Sequence, residues 1–203
     1  MVLVYDDIAA HFSATRYGRW PGVCAFLAKL APDSCVGDVG TGNGKYMNYR
    51  SDLSIIGIDP CVPLLQIAKT RHFNDDFIRG DGRHLPFRTG TLDAAISIAV
   101  VHHLETHENR LAFLLELLRC VRVNGRILVT IWALQKHKPR WIHIGGGDFL
   151  IPWNDSREMR FYHLFSKEDV EKTILDLSRL APLASATFTF ERDNWYIEFF
   201  KGI

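Results

Sequence analysis

The chain has 203 residues, 47% of them hydrophobic and 23% charged, the proportions of one well-cored globular domain rather than a disordered or fibrous chain. Lys and Arg number 24 against 23 Asp and Glu, so a formal charge of +1 excludes whole-molecule attraction to nucleic acid or anionic lipid. Any nucleic-acid role has to rest on a local basic face or on a partner. The opening MVLVYDDIAAHF has neither the basic start nor the apolar run of a signal peptide. No stretch approaches the ~20 apolar residues of a membrane span. A cytoplasmic protein is therefore expected, with a nuclear pool allowed. Cys24, Cys35, Cys61 and Cys120 are widely spaced and form no CxxC pair, so they read as small apolar side chains with no metal site.

In chain order, helical pattern over 21–30 is followed by the strand VGDVG (36–40), then by helical pattern over 43–50. The strand SIIGID (54–59) leads to a helix over 62–71, and DFIRGD (76–81) reads as a third strand. DAAISIAV (93–100), a helix over 107–121 and GRILVTIWA (125–133) complete the alternation. Leu111, Leu114, Leu115 and Leu118 mark an apolar face at helical spacing in that last helix. Strands this continuously apolar are covered on both faces, and β/α alternation implies a doubly wound, mostly parallel sheet. From Lys136 to Leu164 the chain holds three consecutive glycines and no clear period, so 134–165 is expected as a lid or substrate loop. Ser166 then caps a helix through a relative of the S/T-x-x-E box, and ATFTFERDNWYIEFF folds as an antiparallel hairpin turning near Asp193 and Asn194. No linker or repeat divides residues 1–203, so one domain is expected.

The chemistry starts at DVGTGNGKY (38–46). A dinucleotide fingerprint needs a third glycine where Lys45 stands, and a Walker loop needs glycine where Val39 stands and Ser or Thr where Tyr46 stands. What remains is an acid, Asp38, followed by Gly40, Gly42 and Gly44, a turn whose missing Cβ atoms let a ligand approach the backbone. The second strand ends in Asp59 and the third in Asp81, each at the carboxyl edge where open α/β sheets bind ligands. Asp59 is suited to accept from two ribose hydroxyls and Asp81 from an adenine amine. A single such acid is ordinarily a turn former; three after successive strands argue for a site.

DVGTGNG, GIDP, GDGRHLPF and AISIAVVHHLE resemble motifs of class I S-adenosylmethionine-dependent methyltransferases. The resemblance implies a seven-stranded sheet with a terminal antiparallel hairpin. It also implies S-adenosyl-L-methionine as cofactor, held by Asp38, Gly40, Gly42, Gly44, Asp59, Pro60, Asp81, Gly82 and Ala99. YDDIAAHFSATRYGRWPGV, VVHHLET, FLIPW, RFYHLF and ERDNWY further resemble the eukaryotic tRNA wobble-uridine methyltransferases, including the methyltransferase domain of the animal AlkB-homologue fusion protein. That family esterifies 5-carboxymethyluridine with a methyl group, so tRNA is the implied substrate. Thr41 departs from the cysteine usual there. By the same analogy residues 1–20, with Tyr5 and His11, cover the cofactor.

A carboxylate nucleophile is ionised at neutral pH, since an unperturbed acid titrates near ~4, and needs alignment and a cation rather than a base. Arg16 and Arg192 are the candidate cations, with His102 and His103 at the end of the fourth strand. Tyr17, Trp20, Tyr162, His163 and Trp195 are candidates to stack on a flipped base. Lys136, His137, Lys138, Arg140, Arg157 and Arg160 give the lid a positive bias suited to phosphates or simply to water. Strand 76–80 is expected at a sheet edge. Relatives pair there with a small zinc-bearing activator protein, for which Phe77, Ile78, Leu85, Pro86 and Phe87 offer apolar contacts. Two alternatives stay open: a carboxyl or hydroxyl methyltransferase for a small molecule, and a non-catalytic cofactor-binding subunit.

Overall fold

The computed structural model describes residues 2–15, 18–135, 138–153 and 158–203. Five parallel strands are β1 (Cys35–Val39), β2 (Ser54–Asp59), β3 (Asp76–Arg79), β4 (Leu92–Ile98) and β5 (Val121–Trp132). Helices α1 (Val2–Ala14), α2 (Pro21–Ala28), α3 (Val62–Arg71) and α4 (His107–Cys120) precede or connect them. Beyond an antiparallel ribbon, β6 (Ile142–Gly145), β7 (Asp148–Pro152) and β8 (Met159–His163), come α5 (Lys167–Leu180) and the hairpin β9 (Leu183–Glu191) and β10 (Asn194–Lys201). The main sheet runs β3-β2-β1-β4-β5-β10-β9, with β10 antiparallel to both neighbours, which is the seven-stranded, doubly wound architecture the sequence implied.

Alternation along the strands splits the core in two. Ala95, Ile127, Val129, Ile131, Ile197 and Phe199 pack with Phe113, Leu114, Leu117, Val170 and Leu177 of α4 and α5. Their neighbours Ala94, Ile96, Leu128 and Tyr196 pack on the other face with Val23, Phe26 and Leu27 of α2. Apolar residues on both faces explain why these strands read as continuous apolar runs. Arg192 and Asp193, at φ 48° and 62°, close the last hairpin in a left-handed two-residue turn that matches strand twist.

Two expectations are corrected. Residues 43–50 form no helix: Gly44 (φ 75°) and Asn48 (φ 52°) take left-handed conformations, and bonds from Gly44 N–H to Thr41 O and from Met47 N–H to Gly44 O make successive turns. The 134–165 lid is not wholly irregular. Order β6-β7-β8 forms a small sheet whose buried Phe149, Ile151, Tyr162 and Leu164 pack against Trp132 and Trp141. Among the described residues no helix is long and apolar enough to cross a membrane.

The ribbon hands the chain to α5 through Ser166, whose hydroxyl accepts the Asp169 N–H (3.1 Å) while the Asp169 carboxylate accepts the Ser166 N–H (2.9 Å). Ser166→Ala removes one half of this box and is expected to lower stability by about 1 kcal/mol in urea unfolding.

Candidate functional site

At the carboxyl edge of β1, β2 and β4 lies a cavity of about 610 Å³, bounded also by α1, the 38–46 loop and the last hairpin. Gly40 and Thr41 both donate their N–H groups to Ile58 O, at 2.7 and 3.0 Å, which pins the loop across the end of β2. Gly40 is held at φ 83°, and a Cβ there would lie 2.2 Å from the Val100 side chain, so conformation and space both demand glycine.

Two carboxylates stand at the base of this loop. Asp38 is 2% exposed and accepts the Thr41 hydroxyl at 2.8 Å, so the residue that departs from the family's usual cysteine orients the acid. Asp59 is 7% exposed and accepts N–H groups from Gly42 (2.8 Å) and Cys61 (2.9 Å). Burial raises the Asp38 carboxyl to about 7, with the nearby Asp59 charge adding to the rise and the Thr41 bond opposing it. Burial likewise raises Asp59 to about 6 against its two backbone bonds. Each accepts one hydrogen bond per engaged oxygen, so lone pairs remain for a ligand that brings donors or positive charge.

Across the cavity stand the histidines of a short 3₁₀ turn, Val101–His103. The His103 Nδ1 lies 3.0 Å from Phe161 O, which only accepts, so Nδ1 carries the proton and Nε2 accepts the Tyr5 hydroxyl at 2.9 Å. Burial, with the Arg160 charge adding to it, lowers His103 to about 3 despite the Phe161 bond, so the ring is neutral at physiological pH. His102 accepts the Trp132 N–H on Nδ1 (3.2 Å) and stacks on Tyr162, centroids 5.1 Å apart and 14° from parallel. Trp132 stacks on the same Tyr162 ring at 4.5 Å. The turn is launched by Ala99, a non-glycine residue at φ 61°, whose N–H is clamped by both Thr130 O and Thr130 Oγ1 at 3.0 Å.

The structure brings most of the sequence candidates to this cavity: Tyr5, Asp38, Gly40, Gly42, Asp59, Pro60, Ala99, His102, His103, Arg192, Trp20 and Tyr162 line it. Others stand away from the lining. Asp81 is folded onto Arg83, whose Nη2 donates at 2.6 Å and whose N–H donates at 2.9 Å. That pairing holds its carboxyl below the usual range. Gly82 packs beneath Phe113, and Gly44 against Ala68 and His72 of the α3 end. Trp195 is core, its indole N–H donating to Phe165 O, and His163 is held by Asp148 at 2.6 Å. His11 meets the Trp153 indole N–H through its own Nδ1 (3.2 Å). Arg160 is buried, not a surface charge. Arg16, Tyr17, Lys136, His137 and Arg157 lie outside the described residues. Phe12, Arg19, Lys45 and Tyr46 line the cavity although no sequence signal singled them out. The α1 pattern of Tyr5 and Phe12, one helical face, was the signal available for Phe12.

A family described as methyltransferase domain matches residues 37–129, the stretch from β1 through most of β5. The chain is 34% identical to the tRNA (carboxymethyluridine(34)-5-O)-methyltransferase of Schizosaccharomyces pombe over 96% of its own length and 92% of that protein. The chain belongs to this methyltransferase family. It is also 34% identical to the Xenopus tropicalis tRNA (carboxymethyluridine(34)-5-O)-methyltransferase alkbh8, of whose length it spans 39%. In fold it resembles a SAM-dependent methyltransferase from Methanosarcina mazei, with TM-score 0.75 at 17% identity, covering 91% of this chain and 99% of that one. It also resembles a chain in the complex of the Haloferax volcanii Trm112 methyltransferase activator with a methyltransferase, with TM-score 0.69 at 16% identity, covering 98% and 96%.

In this family member the raised carboxyls set a pH dependence. Folding raises Asp38 from 3.8 to about 7, so the folded state holds its proton more tightly than the unfolded chain. The stability this supplies is whole below pH ~4 and is lost as pH rises through ~7. Asp59 acts in the same sense up to about 6. Asp38→Asn is therefore expected to flatten the fall in stability between pH 4 and 7 and to stabilise the ligand-free protein at pH 8 by about 2 to 4 kcal/mol, read from unfolding curves at each pH.

Proposed function

We propose that this chain transfers a methyl group from S-adenosyl-L-methionine to the carboxylate of 5-carboxymethyluridine at the wobble position of tRNA, forming the methyl ester. The observation that carries the reading is the pairing, in one cavity, of two buried carboxylates under a glycine loop with a buried, aromatic-walled histidine pair opposite, of which His103 is neutral. Residue fit supports the cofactor. Asp59, with spare lone pairs at the end of β2, suits ribose hydroxyls. Buried Asp38 suits the cationic methionine end, whose charge offsets its desolvation. The bound cofactor supplies an electrophilic methyl on a sulfonium sulfur.

What the protein has to do is then limited. The substrate carboxylate forms the new C–O bond as the C–S bond breaks and its electron pair stays on sulfur, and no proton moves. His103, lowered to about 3 and with both ring nitrogens engaged, is too weak a base to take a proton at neutral pH, and this reaction requires none. Alignment and water exclusion carry the rate, through Tyr5 and Phe12 of α1 on one side and Trp132 and Tyr162 on the other. Trp20 and Tyr196, with Lys45 over the Trp20 ring at 5.9 Å and Arg192 at the hairpin tip, line the cavity where a base and its phosphate meet a cation-rich surface.

A protein partner is part of the same reading. Strand β3 is a sheet edge with an unpaired side, suited to β-augmentation by a small zinc-bearing activator of the kind expected from the sequence, and the Haloferax volcanii chain of like fold was solved with the Trm112 activator. Of the side chains first named for that contact, Ile78, Phe87 and Phe77 pack on the cores and Leu85 is buried, which leaves Pro86 exposed, with Phe73, 80% exposed, three residues before β3.

The decisive assay supplies labelled cofactor and tRNA bearing 5-carboxymethyluridine to the chain, alone and with the activator. Base-labile label on the wobble nucleoside is expected, and methylation of small acids without any of tRNA would overturn the reading. Asp59→Ala is expected to raise the cofactor KM about 10- to 100-fold, the loss of charge-assisted bonds to two hydroxyls, while leaving the tRNA KM near the wild-type value.

A further inference from the structure

The proposed reaction needs a cation at the substrate's carboxylate, and the inference below rests on that reading. Among the described residues the cations lining the cavity stand away from the histidine side or are committed elsewhere: Lys45 lies over the Trp20 ring at 5.9 Å and acts on Asp38. Arg19 donates from Nε and Nη2 to Lys45 O and Met47 O. The Arg192 side chain is 81% exposed, where water screens its charge. His103 is neutral, its Nδ1–H spent on Phe161 O and its Nε2 on the Tyr5 hydroxyl.

Arg160 differs from all of these. It is 5% exposed, and its Nε and Nη1 have no hydrogen-bond partner. Its guanidinium lies 5.1 Å from the Tyr162 ring centroid and 4.7 Å from that of Trp153. No ion pair with Asp or Glu compensates it among the described residues. Tyr162, against which this charge lies, and His103 pack 4.3 Å apart and both border the cavity, whereas Arg160 itself does not line it. The charge is felt there, since it contributes to holding His103 neutral. A buried, unpaired arginine is a costly feature, and stacked rings offset only part of the cost. In low-dielectric surroundings such a charge projects further than it would in water.

We infer that Arg160 is the anion-selecting residue of this cavity: its uncompensated guanidinium, acting through the Tyr162–His103 wall, draws the carboxylate end of the substrate to the histidine side and holds it facing the buried Asp38–Asp59 end. Arg160 is thereby a positioning residue. It also gives direction to the reaction, because esterification removes the negative charge that it holds, and the neutral product is held less tightly than the acid.

The test compares binding of two tRNAs that differ only at the wobble group, one with the free carboxymethyl acid and one with its methyl ester. Wild-type protein is expected to favour the acid by about tenfold or more at low salt. Arg160→Met, which keeps an unbranched stem between the two rings, is expected to bind acid and ester alike. Its kcat/KM on the acid should fall at least about 100-fold, with affinity for S-adenosylhomocysteine within about twofold of wild type. Arg160→Lys should restore part of the preference. A merely structural arginine would change stability without moving the acid-to-ester ratio. Equal binding of acid and ester by the wild type, or an Arg160→Met protein that retains the preference, overturns the inference while methyl transfer itself stands. Should Arg160→Met fail to fold, the wild-type ratio and the lysine variant decide. Wild-type protein that esterifies no tRNA sinks the underlying reading, a result distinct from the others.

Discussion

Ionising a carboxylate away from water costs several kcal/mol unless something pays it back locally, and this fold puts two of them at the base of one cavity. Asp38 and Asp59 end adjacent parallel strands, so the sheet itself brings them together. Backbone N–H groups of the loop compensate Asp59, and one hydroxyl compensates Asp38. Both remain short of what water would supply, which is why both carboxyls rise. The deficit is what makes the cavity a receptor: a ligand carrying hydroxyls and positive charge completes the solvation that folding left incomplete. Stability of the empty protein and affinity for its ligand are thus opposed in the same two side chains.

The opposite end of the cavity follows the reverse logic. There an unpaired Arg160 stacks on Tyr162 of the cavity lining, and His103 is held uncharged. His102 and His103 sit in a 3₁₀ turn entered through the left-handed Ala99, a conformation that costs an alanine about 1–2 kcal/mol and is held by the Thr130 clamp. Strain of that kind is concentrated where a side chain has to be aimed. The clamp sits on β5, so the central sheet carries the aim of the histidine pair.

What was legible in the sequence was whatever the backbone pattern encodes. Continuous apolar strands, the glycine loop and the acids at strand ends are signals of period and of φ, and they gave the parallel, doubly wound sheet and the Asp38–Asp59 pair, while the seven strands and the edge place of 76–80 came from the family resemblance. What escaped was decided by partners distant in sequence or by side-chain direction. Asp81 stands at the expected strand end, yet Arg83 two residues on neutralises it, and no spacing rule distinguishes a free acid from one folded onto its neighbour. The 43–50 helix failed because Gly44 and Asn48 reverse the backbone inside an otherwise helical composition. The ribbon was read as loop because its strands are only four or five residues long and β6 is exposed along its whole length. The alternating burial of β7 and β8 is not matched by alternating polarity: Leu150 is apolar between buried Phe149 and Ile151, and Arg160 is buried beside Phe161. Arg160 counted as a surface charge because burial of an arginine depends on the rings around it. Trp153 lies seven residues away in the sequence.

Those rings also tie the two coverings of the cavity to each other. Helix α1 reaches the histidine turn through the Tyr5 hydroxyl and reaches the ribbon through the His11–Trp153 bond. It reaches the glycine loop through Asn43, whose amide donates to Ser13 Oγ at 3.0 Å. One helix therefore touches the cofactor loop, the histidine pair and the ribbon that carries Arg160. The Tyr5 hydroxyl engages Nε2 of His103 while the Phe161 carbonyl fixes the tautomer, so the seating of α1 and the placement of that ring are coupled. Order at the histidine end of the cavity is thereby tied to the same helix that is bonded to the glycine loop. For a reaction that depends on alignment more than on acid–base chemistry, one helix bonded at both ends of the cavity fixes them relative to each other, which is the requirement such a transfer sets.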